Sequence, residues 1–349
     1  MTLFLLLSCG SGQQSLDSAN GGGAATGGSS LSSVLMDIGR SAENAFYSFL
    51  DLLSGTLGLR VTKDTKKSDV AGYFSSLGAK LGVASKELEE VVVKATSGVD
   101  TSDASKNPIK VAIDTAKATL STLKTHLDSL KDIGDDNKVV DVTVSQSGVA
   151  ANQAKLESIY DALKGIVTAA TTEGIAEPKK STVKVINTSL GGTNPENGAK
   201  VLTSGAVAGG DAGLEAATIV STVSGEEILA AIVGSSKSDA AGTISSNVNQ
   251  DTSALKFAKG GATASHLAQT SALAGAVSGG IALRSLVKDG KLASHSGNDN
   301  KAVQSAGITA VNKLLVAVED VIKKTVKNVL KTAKDKIDEA RAPKEAGQQ

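Results

Sequence analysis

The sequence predicts an all-α fold: an elongated helical bundle with long N- and C-terminal helices and a Gly/Ala/Ser-rich middle that bears loops. Three observations carry this reading. Apolar residues recur in alternating steps of three and four over long stretches, which gives a helix one apolar stripe. Only four prolines (Pro108, Pro178, Pro195, Pro343) occur in 349 residues, so long stretches lack the residue that breaks helices. Aromatic residues make up 2% of the chain against 40% hydrophobic residues, and tryptophan is absent. A core must then be packed from Ala, Leu, Val and Ile, which suits closely spaced helices better than a large ligand pocket.

At the amino terminus, Leu6-Leu7-Ser8-Cys9-Gly10 follows the apolar run Leu3–Leu7 and resembles a bacterial lipobox. That resemblance implies that the Cys9 thiol receives a diacylglyceryl group, that the preceding peptide is removed, and that the new amino group is acylated (N-acyl and S-diacylglycerol on Cys9). Several chains matter physically, because a single acyl chain holds a membrane only marginally. No Lys or Arg precedes Leu3 and the apolar run is short, so Met1 is expected to be an internal methionine of a longer signal. Gly21-Gly22-Gly23 and Gly27-Gly28 make the stretch up to Ser30 a flexible tether. The expected division is 1–8 signal-peptide remnant, 9–30 lipidated amino terminus and tether, 31–341 a single helical ectodomain, and 342–349 a disordered tail, with the variable, loop-rich part at about 190–300.

Four apolar series predict the first helices. They run from Leu31 through Leu35, Ile38 and Phe49 to Leu52; from Val70 through Phe74, Leu77, Leu81 and Leu88 to Ala95; from Ile109 through Ile113, Leu120 and Leu127 to Leu130; and from Val149 through Asn152, Leu156, Ile159 and Ile166 to Ala170. Asn107-Pro108 reads as a cap followed by Pro at the first helical position, and Gly134 as the stop of that helix. Thr62–Ser68 and Asp132–Val144 read as charged loops, and the loose alternation of Val139–Val144 as a short strand. In the middle, helices are expected over Gly213–Val233 and Thr252–Lys288, with polar loops at Ser235–Asp251 and Gly290–Asn300. Within the second, Ile281, Leu283, Leu286 and Val287 form one broad apolar face, and Lys288-Asp289-Gly290 a polar end with a glycine stop. Arg284 and Lys288 are read as charges reaching solvent from a core helix, with ligand contact as the alternative.

The last helix is expected from about Lys301 to Ala340, with Ile308, Val311, Leu315, Val318, Ile322, Val326 and Val329 on one face, and to pack against the Leu31–Leu57 segment. Its distal lysines, Lys323 to Lys336, read as a solvated face, the alternative being contact with anionic lipid headgroups. No segment after the tether is apolar and long enough to span a membrane.

Composition narrows function. Lys+Arg and Asp+Glu are both 36, so the basic excess that captures nucleic acid is missing. One cysteine forms no intramolecular disulfide, and His126, His266 and His295 have no metal-ligand spacing. Gly209-Gly210-x-x-Gly213 lacks the strand and the acidic partner of a dinucleotide site. Without a nucleophile elbow, metal motif or phosphate loop, no enzymatic activity and no cofactor are expected.

Two longer stretches carry a family likeness. Phe46-Tyr47-Ser48-Phe49-Leu50-Asp51-Leu52-Leu53, Leu57-Gly58, Val61–Val70 and Tyr73–Gly82 resemble the amino-terminal part of the variable large proteins of relapsing-fever spirochaetes. Ile281–Ala293 resembles an invariant segment of the related Vls surface lipoprotein of Lyme spirochaetes, and Ala310–Leu315 fits as well. The resemblance implies an outer-membrane lipoprotein exposed on the cell surface, one of many gene copies expressed one at a time, whose switching evades host antibody. Partners implied are outer-membrane lipid, through the acyl anchor, and host antibodies. The alternative is a surface adhesin binding a host plasma protein or glycan, although no aromatic-rich patch of the kind that dominates binding hot spots is evident. A homodimer stays open.

Overall fold

The computed structural model describes residues 58–96, 108–191, 193–210, 212–295 and 299–341. Cys9, the tether, the Leu31–Leu57 series and the 342–349 tail lie outside the described residues. Among the described residues the fold is all-α, with no β-strand and five isolated bridges. Its helices are α1 (Lys67–Thr96), α2 (Pro108–Asp128), α3 (Gln153–Thr172), α4 (Asn187–Leu190), α5 (Ala212–Ser221), α6 (Gly225–Val233), α7 (Ala254–Lys259), α8 (Ala264–Leu267), α9 (Ala274–Leu286) and α10 (Asp299–Arg341). Short 3-10 turns lie at Pro195–Leu202 and Lys237–Ala240.

The predicted stripes become packing seams. On α1, Val70, Phe74, Leu77, Leu81, Ala84, Leu88 and Val91 are buried; on α2, Ile113, Ala116, Leu120, Leu123 and Leu127 are buried. The two run antiparallel, with Gly78 beside Leu127 and Asp128 and an ion pair between Glu89 and Lys117 further along. α10, 43 residues long, packs against α2, α3, α5, α6 and α9. At about 1.5 Å per residue it is roughly 60 Å long, as its sequence predicts. Its lysines from Lys323 to Lys336 are exposed, and three pair with acids one turn on: Lys331 with Asp335, Lys334 with Asp338, and Lys336 with Glu339.

Several boundaries differ from expectation. α2 ends at Asp128 rather than Gly134. Gly134 instead lets the chain pass against the Lys67 carbonyl, where a Cβ would clash. α3 starts at Gln153, so Val149 and Asn152 precede it; Val149 is exposed, and Asn152 is the cap, its side chain accepting from the Lys155 N–H. Lys67 does not belong to a charged loop but begins α1 and is buried. Val139–Val144 is not a strand: the adjacent Val139 and Val140 are both buried, which breaks alternation, and the Gln146 side-chain amide donates to the Asp141 carbonyl at 3.0 Å.

The middle is more broken than its composition suggests. Gly213–Val233 is two helices, α5 and α6, bent by 97°. The bend is stabilised from outside, because the Lys313 ammonium on α10 donates to the carbonyls of Val220, Ser221 and Val223 as α5 ends. Ser224 and Glu227 then open α6 with a capping box. Among the described residues no single helix is long and apolar enough to cross a membrane; the bent α5–α6 pair passes only as a pair. Thr252–Lys288 splits into α7, α8 and α9, with Gly260 at φ +64° ending α7. Gly290–Asn300 is not wholly a polar loop either, since Leu292, Ala293 and Ser294 are buried.

Every residue of α9 is buried. A helix enclosed on all sides is apolar nearly all round, and α9 is so except for Ser278, Ser285 and Arg284. α6, α7 and α10 surround it. Gly280 brings α9 onto Phe257 of α7 so closely that a Cβ would overlap the Phe257 Cβ.

Candidate functional site

The two stretches singled out by sequence, Val61–Val70 and Ile281–Ala293, meet. At their junction the Lys67 ammonium, 3% exposed, donates to the carbonyls of Val287 (2.8 Å) and Gly290 (2.7 Å). Those carbonyls are available because α9 ends at Leu286 and the chain turns through Asp289 at φ +68°. The turn therefore uses a left-handed aspartate, not a glycine stop; Gly290 serves instead to let the chain lie on the Arg284 carbonyl. Lys288 donates its N–H to the Ile133 carbonyl, and Asp289 its N–H to the Asp135 carboxylate, tying the turn to the end of the α1–α2 hairpin. Burial pushes Lys67 down to about 8, against the opposing pull of Asp135 and Asp289.

Arg284 does not reach solvent. It is 0% exposed, the largest fully buried side chain among the described residues. Its Nε donates to the Ala258 carbonyl (2.9 Å), Nη1 to the Thr203 carbonyl (2.9 Å), and Nη2 to Ser204 Oγ (3.0 Å) and the Phe257 carbonyl (3.4 Å). The fork thus gathers the carbonyls released where α7 ends and where the Pro195–Leu202 turn ends. Gly260 leaves room for it: a Cβ there would overlap Nη2. Burial alone pushes the guanidinium down to about 9. The signal for this was legible, since Arg284 is the single charged residue in thirteen of α9; a helix that apolar has no wet face on which to place it.

Beside Lys67 a cavity of about 670 Å³ opens between the Asn137–Asp141 loop, the start of α3, Lys259 and the Asp289–Leu292 turn. The aromatic-poor composition predicted no such space. Elsewhere, Glu319 on α10 is buried and accepts hydrogen bonds from Tyr73 Oη and the Gly58 N–H. Burial and that carboxylate hold the Tyr73 phenol well above its ordinary range. Asn312 grips both main-chain groups of Val61, accepting from its N–H (2.8 Å) and donating to its carbonyl (3.0 Å). Residues 58–61 are thereby strapped to the long helix.

The three histidines do not converge, and among the described residues no three His, Cys, Asp or Glu side chains gather to hold a metal ion. His126 lies half-buried on Gly165 of α3, where burial lowers its affinity for a proton.

Comparison with known proteins agrees with this architecture. A family model described as Borrelia lipoprotein matches residues 42–337. Variable large protein 25 of Borrelia hermsii is 57% identical over 353 residues, covering 100% of this chain and 96% of that protein. Variable large protein 14 of the same organism is 27% identical over 346 residues, covering 97% and 91%. Among solved structures, the variable surface antigen VlsE of Borrelia burgdorferi matches in fold with a TM-score of 0.65 at 24% identity, over 88% of this chain and 98% of that one. With the family model spanning most of its length and relatives matching it from end to end, the chain belongs to the Borrelia lipoprotein family, alongside the variable large proteins.

Proposed function

We propose that the chain is an antigenically variable outer-surface lipoprotein, one of many alternatively expressed copies, whose replacement by another copy evades host antibody. The observation that carries this reading is the spread among relatives of one organism matched over most of their length, from 57% identity down to 25%. Divergence of that size over a retained length is what an exchangeable coat requires. The helical seams supply a buried interior, while the turns joining α4 to α9 lie largely on the outside, where change costs little stability. The chain acts without catalysis, its partners being host antibodies and membrane lipid. A clonal population expressing this chain, exposed to antiserum raised against it, should survive only as cells expressing a different copy. Survivors still displaying this chain in full amount would count against the proposal.

The anchor belongs to the same reading. Cys9 carries the acyl chains, residues 9–30 form the tether, and 31–341 stand on the cell surface, with 342–349 as a short tail. Cells fed labelled palmitate should mark the protein, and Cys9→Ser should lose both the label and detergent-phase partitioning. Label retained by that variant would rule the site out.

A further inference from the structure

An antibody decoy has no need of a cavity, yet the two most distinctive sequence stretches meet at one. Its charged lining is Lys67, Lys138, Lys259 and Lys291 against Asp141 and Asp289. Several of these charges are already engaged. Lys138 pairs with Asp64 at 3.0 Å, and Asp289 accepts from the Asn152 side-chain amide at 3.0 Å. Lys259 reaches only a main-chain carbonyl, that of Ala151, at 3.2 Å. Lys67 commits two of its three N–H groups to carbonyls, and the third has no partner among the described residues. None of Lys67, Lys259 and Lys291 forms an ion pair among the described residues.

The same cavity receives the amino terminus of α3, a 20-residue helix whose first turn presents main-chain N–H groups and the positive end of its dipole. Asn152 caps the Lys155 N–H, whereas the Gln153 N–H, on the cavity wall, has no partner among the described residues. We infer that this cavity binds a small organic anion, a molecule of about monosaccharide size bearing a phosphate or carboxylate. The anionic group sits between Lys67, Lys259, Lys291 and the start of α3. The volume lies within the roughly 300–1,000 Å³ typical of small-molecule sites, well beyond what a bare phosphate fills. Electrostatics agree: burial lowers the proton affinity of both Lys67 and Lys259, which an entering anion would restore. The inference is independent of the coat reading and survives or fails without it.

Calorimetric titration of the full-length protein with glucose 6-phosphate, N-acetylneuraminate, inorganic phosphate and uncharged glucose tests the site. At least one organic anion should bind at a stoichiometry of one and raise the melting temperature, with glucose inert. Lys291→Gln and Lys259→Gln, both on partly exposed side chains, should each weaken binding about tenfold, the loss of one charge-assisted hydrogen bond. Lys67→Met should abolish it; should that variant fail to fold, the two glutamine variants decide alone. The inference is overturned if no anion binds at millimolar concentration, if inorganic phosphate binds as well as the organic anions, or if both glutamine variants bind as the parent does. Binding confined to a long sulfated polymer such as heparin would also overturn it, as surface attraction rather than a cavity site.

Discussion

Lys67 and Arg284 are buried cations that form no ion pair among the described residues, and both are held by main-chain carbonyls. Such a cation is stable only while those carbonyl bonds hold, because the charge has left water without a counter-charge in contact. Replacing Arg284 with Met removes the charge but takes the guanidinium donors from the carbonyls of Thr203 and Phe257 and leaves that of Ala258 only the Ala151 N–H. Arg284→Met should therefore destabilise the fold by about 3 kcal/mol in urea denaturation. Arg284→Lys should recover less than half of that, since an ammonium cannot reproduce the planar fork. Lys67 adds a pH signature. Its folded-state pKa of about 8 lies below the ordinary lysine value, so between the two the unfolded chain binds more protons. Stability from this residue is therefore present above about pH 10.4 and lost as pH falls through 8. Urea melts across that range should show this contribution rising with pH, by on the order of 3 kcal/mol, and Lys67→Met should lack it. Equal slopes in the two proteins would show that Lys67 is not desolvated.

At the level of elements, legibility followed the presence of water. α1, α2 and α10 each border solvent on one side, so their apolar positions stand out against polar ones and the period of 3.6 can be read directly. α9 has no wet side; the lack of one signals that Arg284 is buried, but its sequence does not show which carbonyls the guanidinium meets. The breaks at Gly260 and at Thr222–Ser224 were hidden because they depend on partners far along the chain, Arg284 and Lys313. The cavity was equally hidden, since it is formed by turns that meet only in three dimensions. Close approach makes the glycines unequal. Gly280→Ala drives a methyl into Phe257 and should cost about 1–3 kcal/mol. Gly72→Ala, on the open face of α1 with nothing within 4 Å of its Cβ position, should instead stabilise by about 0.5–1 kcal/mol. Thermal melts of the two variants moving in the same direction would contradict the packing described for α9.

Over the whole molecule, α9 is the interior around which α6, α7 and α10 close, so it should open only when the molecule unfolds globally. Hydrogen exchange should be slowest across Ala274–Leu286 and the facing part of α10. Leu292–Ser294 belongs with them despite its loop-like composition: the Ala293 N–H donates to the Val201 carbonyl and the Ser294 N–H to the Gln146 carbonyl. The stretch around Ser245–Asn247, without such pairing among the described residues, should exchange first. Rapid exchange of Ala293 and Ser294 would show that the buried segment is not closed in solution. This ordering leaves the molecule a rigid centre beneath replaceable turns.

The strap of residues 58–61 gives the molecule a mechanical character. A pull applied at Gly58 is met by Glu319 and Asn312 before it reaches α1. These two anchor residues are two turns apart on one helix, so the load spreads along α10 instead of prying α1 from its end. Among the described residues, the side-chain grips on Gly58 and Val61 would break first under such a load. Freeing residues 58–61 releases roughly 13 Å of chain at about 3.3 Å per residue, while the Val139 N–H still holds the Thr65 carbonyl and the Asn137 carbonyl the Lys67 N–H. The strap then acts as a fuse, giving way in extension while the helices behind it keep their shape.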